Sequence, residues 1–177
     1  MVVGFFGLIV LVAILGVATD DANSTDEPSL VTTNTTSNES SNSVDISGKV
    51  FQVGESVESN GRILTVTKVD RNYDTGNQFS QPKTGREFVK ATIEIENNSN
   101  SEISYSPFEF KVQDSNGNQK DLDAGTYSLD LPFESGSLAG GGKVSGDMLF
   151  EVPKDDQNLT LIYTSSFWGN QKINIQL

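Results

Sequence analysis

Residues 88–96 decide the fold of this chain, and they read FVKATIEIE. Apolar side chains occupy the odd-numbered positions from 89 to 95, and polar or charged side chains occupy the even-numbered positions from 90 to 96. A period of two places the two sets on opposite faces of an extended strand, so the sequence predicts a half-buried β-strand. Asn97-Asn98-Ser99-Asn100 comes next and is typical of a turn.

The same alternation recurs through residues 48–177. It predicts further strands at Val50–Val57, Arg62–Val69, Val144–Val152, Leu159–Thr164 and Lys172–Leu177. In the strand after Asn100 the apolar phase reverses at Ser106-Pro107, so we predict a β-bulge there. About seven or eight short strands, frequent turn residues and no helical period predict an all-β fold, an immunoglobulin-like antiparallel β-sandwich.

An uncharged apolar run, residues 2–18, precedes this domain. As a helix the run would span roughly 25 Å, the low end of what crosses a bilayer. Residues 1–18 are therefore predicted to be a membrane helix that anchors the protein, or a signal segment cleaved after Gly16-Val17-Ala18. In either case we expect the domain outside the cell membrane, tethered or secreted.

Residues 19–47 separate the apolar run from the domain. Of these 29 residues, 17 are Ser, Thr or Asn, six are Asp or Glu, and none is basic or aromatic. Such a segment cannot bury enough apolar surface to offset its chain entropy, so we expect a disordered, polar, acidic linker. Asn-x-Ser/Thr motifs, candidate glycosylation sites in an exported protein, occur at Asn23, Asn34, Asn38, Asn97 and Asn158.

The composition excludes several classes of function. The net charge is −12, which repels phosphate backbones, so we expect no nucleic-acid partner. The chain has no His and no Cys, so it lacks the usual neutral-pH base, the commonest zinc ligand and any thiol nucleophile. The carboxylate pairs Asp121 with Asp123 and Asp155-Asp156 lie in polar, turn-like stretches. We therefore expect no enzymatic activity, no metal and no cofactor.

Two polar motifs have both a functional and a plain interpretation. Residues 114–118, with Asp121 and Asp123, resemble a calcium loop, but the glycine is fourth in the motif where a calcium loop has it sixth. A hairpin turn explains them better. Lys83, Arg86 and Lys90, with Asp74 and Glu87, would form a charge cluster near the Asn72–Gly85 loop, for which a solvated strand edge is the better explanation.

Aromatic residues in connecting segments are the candidate binding residues. Phe167 and Trp168 lie between the last two predicted strands, and Phe133 lies in the long Ala124–Gly142 connection. If exposed, these rings could stack on sugars or anchor a protein partner. The alternative is that Trp168 and Phe133 plug the open ends of the sandwich.

Strand and turn motifs across residues 48–177 also resemble a known family. They are Gly85–Ala91, Glu96–Ser99, Phe108–Gly117, Ser137-Leu138, Gly146 and Phe150–Pro153. Together they are similar to the DUF4352 family, telokin-like immunoglobulin-fold domains of exported bacterial and archaeal proteins. Where that family usually has Pro-Gly after the leucine, Leu138 is followed by Ala139-Gly140, which should loosen this loop. The resemblance implies a fold and an exported location but no reaction.

These features favour a non-catalytic cell-envelope protein. The membrane would be contacted through residues 2–18, and the immunoglobulin-like domain would bind an extracellular protein or mediate adhesion. One alternative is a carbohydrate or cell-wall binding module that uses Trp168, Phe167 and Phe133. A second alternative is a structural spacer, which would bury all its aromatic side chains.

Overall fold

The computed structural model of this protein describes residues 48–164 and 172–177. The predicted membrane segment and linker, residues 2–18 and 19–47, lie outside the described residues. The all-β prediction is confirmed within the described part, where eleven strands, more than the seven or eight predicted, form a sandwich. The strands are β1 Val50–Gln52, β2 Ser56–Ser59, β3 Arg62–Asp70, β4 Arg86–Asn97, β5 Ile103–Tyr105, β6 Phe110–Gln113, β7 Gln119–Lys120, β8 Gly136–Leu138, β9 Lys143–Pro153, β10 Thr160–Thr164 and β11 Lys172–Gln176. Two 3₁₀ turns, Pro107–Glu109 and Ala124–Ser128, complete the described elements.

Three sheets surround one apolar core. A four-stranded antiparallel sheet has the order β2-β3-β4-β9, and a five-stranded sheet has the order β1-β11-β10-β6-β7. The third sheet pairs β5 with β8. The odd-numbered residues of the FVKATIEIE stretch are fully buried in this core, as its alternation predicts. All strand pairs are antiparallel except β1 with β11, which is parallel.

The predicted strand Val50–Val57 is wrong as a single element, because the chain changes sheets within it. β1 pairs with β11 in the five-stranded sheet, whereas β2 pairs with β3 in the four-stranded sheet. Gly54 makes the crossing with a φ of +89°, and its N–H donates to Val66 O at 2.8 Å. Local alternation could not separate the two strands, because both turn an apolar residue to the same core.

The predicted bulge at Ser106-Pro107 is also wrong, and the cause is again a change of sheet. A 3₁₀ turn, Pro107–Glu109, separates β5 from β6. Ser106 caps it: its Oγ accepts from Phe108 N at 3.3 Å, and its N–H donates to Glu109 Oε2 at 3.2 Å. The apolar phase reverses because β5 pairs with β8 while β6 joins the five-stranded sheet.

The outer edge of β9 is covered by the connection that follows β7. Phe133 N donates to Asp147 O at 2.9 Å, and Asp147 N donates to Leu131 O at 2.7 Å. Asp123 N and the Thr126 hydroxyl both donate to Leu149 O, and the same hydroxyl accepts from Leu149 N. The long connection therefore closes a sheet edge that could otherwise pair with another chain.

One buried arginine links all three sheets. Arg62, at the start of β3, is 1% exposed. Its Nη1 donates to the hydroxyl of Tyr163 on β10 at 2.5 Å, and its Nη2 donates to Ser104 O on β5 at 2.5 Å. Glu109 supplies the opposite charge, with Oε2 4.0 Å from Nη1 and accepting from the Tyr163 hydroxyl at 3.3 Å. A buried charge needs such partners, so this network fixes the relative positions of the sheets.

We predict that Arg62→Ala lowers the free energy of unfolding by about 3 kcal/mol, since buried acceptors lose their donors. Urea unfolding followed by circular dichroism measures the loss. Lys68→Ala is the matched control, because Lys68 is an exposed partner of Asp70 on the same strand and should cost less than about 1 kcal/mol. Equal losses in the two variants would contradict a structural role for the buried network.

Candidate functional site

The sandwich has two ends, which the strand register defines. Arg62 pairs with Asn97 at one end, and Asp70 pairs with Lys90 near the other. β11 begins at the Arg62 end, because its residue Ile173 lies opposite Tyr163, which bonds to Arg62. β1 runs parallel to β11, so the chain enters β1 from the Arg62 end. We name the Arg62 end proximal and the Arg86 end distal. At about 3.3 Å per residue, the length of β4 separates them by roughly 36 Å.

The β3–β4 loop, residues 71–85, forms much of the distal end. Its fold is set by side chains that bond to its own backbone. Asp74 Oδ1 accepts from Gly76 N at 2.9 Å, and Asn77 Oδ1 accepts from Phe79 N at 2.9 Å. Thr75 Oγ1 donates to Ser80 O at 2.9 Å, which closes the turn. Short polar side chains favour such local bonds, and here they give the loop a defined shape.

Ion pairs hold the base of this loop. Glu87 is buried, accepts from Arg71 Nε at 3.0 Å and from Arg71 Nη2, and also accepts from Asn72 N at 3.2 Å. On the other side, the backbone N–H of Lys83 donates to Glu151 Oε1 at 2.9 Å, and its ammonium lies 3.3 Å from Oε2. The loop is thus fastened to β4 and to β9.

The tip of the loop carries a large apolar side chain in water. Phe79 is 89% exposed. The second 3₁₀ turn lies against the same loop, because a Cβ on Gly125 would be 3.2 Å from Ser80 Oγ, and that turn exposes Tyr127. Exposed aromatics on a fixed loop are typical of binding surfaces.

Two clefts flank the loop, with Arg86 bordering both. One, of about 230 Å³, has Tyr73, Pro82 and Phe88 as apolar wall and Lys154 at its rim. The other, of about 240 Å³, is lined by polar and charged groups that include Lys120. Both are smaller than the roughly 300–1,000 Å³ of a small-molecule pocket, so they suit single side chains of a partner.

The predicted charge cluster is divided among separate partners. Lys83 pairs with Glu151, and Glu87 pairs with Arg71, as described above. Lys90 instead lies on the outer face of the four-stranded sheet, 3.4 Å from Asp147 Oδ2, 3.5 Å from Asp70 Oδ2 and 4.6 Å from the centre of the Tyr73 ring. Burial lowers the pKa of Lys90, but the charges of Asp147, Tyr73 and Asp70 outweigh it and hold that pKa above its usual value.

The calcium-like motif forms the turn between β6 and β7. Asp114 Oδ1 accepts from Asn116 N at 3.0 Å and from Asn118 N at 2.8 Å. Asp121 pairs with Lys111 at 2.8 Å, and Asp123 accepts from Gly125 N at 2.8 Å. These carboxylates serve separate local contacts, and the described residues hold no cluster of three acidic groups suited to a metal ion.

Phe133, a candidate binding residue, is part of the core. It is 0% exposed, and its ring centre lies 5.8 Å from Phe110 and 5.5 Å from Tyr105. The ring therefore presents no surface to a ligand in the folded domain. Phe167 and Trp168, the other candidates, lie outside the described residues.

Asn97 is not a glycosylation site in the folded domain. Its side chain is buried, and Nδ2 donates to Ser101 O at 2.7 Å and to Leu138 O at 2.9 Å. Both amide hydrogens are thus in use inside the protein. Asn158 is exposed beside β10, whereas Asn23, Asn34 and Asn38 lie outside the described residues.

Sequence reasoning missed Phe79. The signal was present, since residues 74–81 read DTGNQFSQ, in which a single aromatic residue stands among turn-forming polar residues. Only the structure excludes a core role for Phe79, because it shows the side chain exposed to solvent.

The family described as "Domain of unknown function (DUF4352)" matches residues 51–173, and the chain belongs to it. No curated protein matches the sequence. Among solved structures, the fold is similar to the yjhA protein from Bacillus subtilis, with a TM-score of 0.55 and 20% identity, covering 72% of this chain and 98% of that one. The fold is thereby shared, while identity this low says nothing of activity.

Two further solved structures share the fold. The Bacillus subtilis protein described as a "putative lipoprotein (ycdA)" has a TM-score of 0.55 and 15% identity, covering 69% of this chain and 38% of that one. The secreted protein MPT63 from Mycobacterium tuberculosis has a TM-score of 0.51 and 10% identity, covering 73% of this chain and 97% of that one. In this chain, no helix in the described ranges has the length and apolar character to cross a bilayer.

We predict that Phe133→Ala lowers the free energy of unfolding by roughly 3–5 kcal/mol, because it leaves a cavity in the core. Phe79→Ala should change it by less than about 0.5 kcal/mol, because that ring is in water. Chemical denaturation of both variants measures the difference. A neutral Phe133→Ala would show that the ring is not packed as described.

We also predict a weaker acid sensitivity in Asp156→Asn. The N–H groups of Ser115 and Asn158 each donate to the Asp156 carboxylate at 2.9 Å and hold its pKa below the usual value. A lowered pKa in the folded state gives stability that is present above the unfolded pKa of about 3.9 and is lost as the pH falls through the folded pKa. The variant should be less stable than wild type at pH 6 and lose less on acidification.

Urea unfolding of both proteins at pH 6 and pH 3 measures this difference. Asp130→Asn is the control, because Asp130 is an exposed carboxylate without a hydrogen bond to the described residues. Its loss of stability between the two pH values should follow wild type. If Asp156→Asn also follows wild type, the two backbone donors do not stabilise the ionised carboxylate.

Proposed function

We propose that this protein is a non-catalytic cell-envelope protein whose immunoglobulin-like domain binds an extracellular protein at its distal end. Residues 2–18 carry it out of the cell and either anchor it or are cleaved. The observation that supports this most directly is Phe79, an aromatic side chain held in water at the tip of an internally bonded loop.

An exported location is supported from two sides. The apolar run at residues 2–18 has the composition of a membrane or signal segment. Two proteins that share the fold are described as a "secreted protein" and as a "putative lipoprotein". The acidic, basic-free stretch at residues 19–47 would then lie between the membrane and the domain.

The distal end has the physical features of a protein-binding surface. Phe79 offers a large apolar area, and its loop is already ordered by hydrogen bonds from Asp74, Thr75 and Asn77. Because the loop is already ordered, binding a partner would cost it little conformational entropy, which favours affinity. The two small clefts beside the loop could each receive a side chain from the partner.

The charges beside the loop favour a partner with acidic groups at its rim. Arg86 and Lys154 border the first cleft, and neither forms an ion pair with another described residue. Of the carboxylates at this end, Glu87 is engaged by Arg71, Asp74 by its own loop, and Glu151, on which the charge of Arg86 also acts, by Lys83. Carboxylates on a partner would thus meet Arg86 and Lys154, neither of which is held in a direct ion pair with a described residue.

The position of the loop also suits this role. The chain enters β1 near the proximal end, and the β3–β4 loop lies at the other end of the sandwich. The loop therefore lies at the far end of the sandwich from the start of β1, and its tip is exposed to solvent. The exposure of Phe79 on an ordered loop whose base borders two clefts favours binding over the spacer alternative.

Photocrosslinking tests the proposal. A photoreactive phenylalanine analogue is placed at position 79 in the full chain, and at position 108 in a matched control. Phe108 is a suitable control because its side chain is also largely exposed, at 69%. It lies at the proximal end, just before Phe110, which pairs with Tyr163. We expect one envelope protein to be crosslinked at position 79 and not at position 108.

The captured protein is then purified and its affinity measured. Phe79→Ser should weaken binding about thirty-fold, the effect of losing a central aromatic anchor. Phe108→Ser should leave the affinity unchanged. Crosslinks that are the same at both positions, or affinities that are the same in both variants, would refute binding at the distal end.

A further inference from the structure

The outer face of the five-stranded sheet is unusual in its chemistry, and we name it the amide face. Register places the side chains of Gln52, Gln113, Gln119, Asn174 and Gln176 on it, beside those of Thr160 and Thr164. Lys111, Lys172, Val50 and Ile162 complete the outward set in the described strands. None of these residues is Asp or Glu, in a chain that has 24 of them.

The opposite outer face shows that this is not a general property of the surface. On the four-stranded sheet, register turns six carboxylates outward: Glu58, Asp70, Glu94, Glu96, Asp147 and Glu151. Lysines lie between them, as in the pairs of Lys143 with Glu94 and Glu96. Mixed charges of this kind keep a protein surface soluble. Solubility therefore does not explain why the strands of the amide face turn no carboxylate outward.

The amide face is also grooved. A depression of about 300 Å³ runs across it, with Gln113, Gln119, Thr160 and Asn174 among its walls. Ile162 points outward yet is only 6% exposed, because the longer side chains around it form the walls. Val50, about half exposed, adds a second apolar patch. A groove with an apolar floor and polar walls fits an extended ligand better than a flat protein surface would.

The hydrogen-bonding groups of this groove are largely unused within the described residues. Gln119 Nε2 donates to Gln113 Oε1 at 3.2 Å, which orients both amides. Gln113 Nε2, Gln119 Oε1 and the amide of Asn174 make no hydrogen bond to a described residue. An amide both donates and accepts, whereas a carboxylate only accepts and an ammonium only donates.

We propose that the amide face binds a chain of neutral polysaccharide. Sugar hydroxyls donate and accept at once, so they match amide and threonine side chains, and the apolar ring faces match Ile162 and Val50. An anionic polymer is disfavoured, since Lys111 is paired with Asp121 at 2.8 Å and leaves Lys172 alone to attract it. A protein partner would find no aromatic anchor among the described residues of this face.

This site is separate from the distal end and does not depend on Phe79. The amide face lies along β1, β11, β10, β6 and β7, whereas the β3–β4 loop belongs to the other sheet. One domain would then contact a neutral wall or capsule polymer along its side and a protein at its end.

Affinity electrophoresis tests the proposal with the full chain in native gels. Each gel contains one soluble probe: dextran, yeast mannan, galactomannan or, as the anionic comparison, polygalacturonic acid. We expect at least one neutral polymer to retard the protein and polygalacturonic acid to leave its migration unchanged. Gln113→Glu and Asn174→Asp should weaken retardation about tenfold, because a carboxylate must lose its hydration against neutral hydroxyls.

Gln78→Glu is the matched control, since Gln78 is exposed on the β3–β4 loop and the change adds the same charge away from the groove. Measured against its own migration in a polymer-free gel, it should be retarded by the neutral polymers as strongly as wild type is. Thermal unfolding establishes that all three variants fold. The proposal is overturned if no neutral polymer retards the protein, if the three variants behave alike, or if only polygalacturonic acid retards it. Loss of self-association in Gln113→Glu and Asn174→Asp, without any polymer binding, would assign the face to a second copy instead.

Discussion

The guanidinium of Arg62 is the contact on which the rest of this structure depends. It is buried where three sheets meet and donates to β10 and to β5 from the start of β3. Removing a charge from water is costly unless hydrogen bonds and an opposite charge replace the lost hydration. Tyr163, Ser104 and Glu109 supply these only in one arrangement of the sheets, so the network selects that arrangement from others that would bury similar apolar area.

With the sheets held in this way, the exterior divides into regions of different chemistry. The outer face of the four-stranded sheet carries interleaved carboxylates and lysines. The strands of the amide face turn no carboxylate outward, and the distal end carries an exposed aromatic ring at the tip of a loop whose base borders two small clefts. The distribution follows from strand register, because each strand gives alternate residues to the core and to one outer face.

Sequence reasoning was most successful where burial and local pattern agree. The alternation in residues 88–96 and in β9 identified long strands and their inward residues, and family membership followed from the strand and turn motifs. It failed at Val50–Val57 and at Ser106-Pro107, because alternation reports that a residue is buried but not which sheet buries it. For Phe133 it left both exposure and burial open, because an aromatic residue in a polar connection is compatible with either.

The amino-acid sequence by itself determined the class of fold, the apolar N-terminal run, the acidic character and the absence of His and Cys. These are properties of composition and of short-range period, which need no contact between distant residues. Only the tertiary structure decided that Phe133 is buried and Phe79 is exposed. Phe133 can pack closely because Gly146 leaves space for its backbone: a Cβ at position 146 would lie 2.7 Å from Phe133 Cα. It also decided the grouping of five amides on one face, because strands far apart in sequence bring them together through hydrogen bonds between backbones.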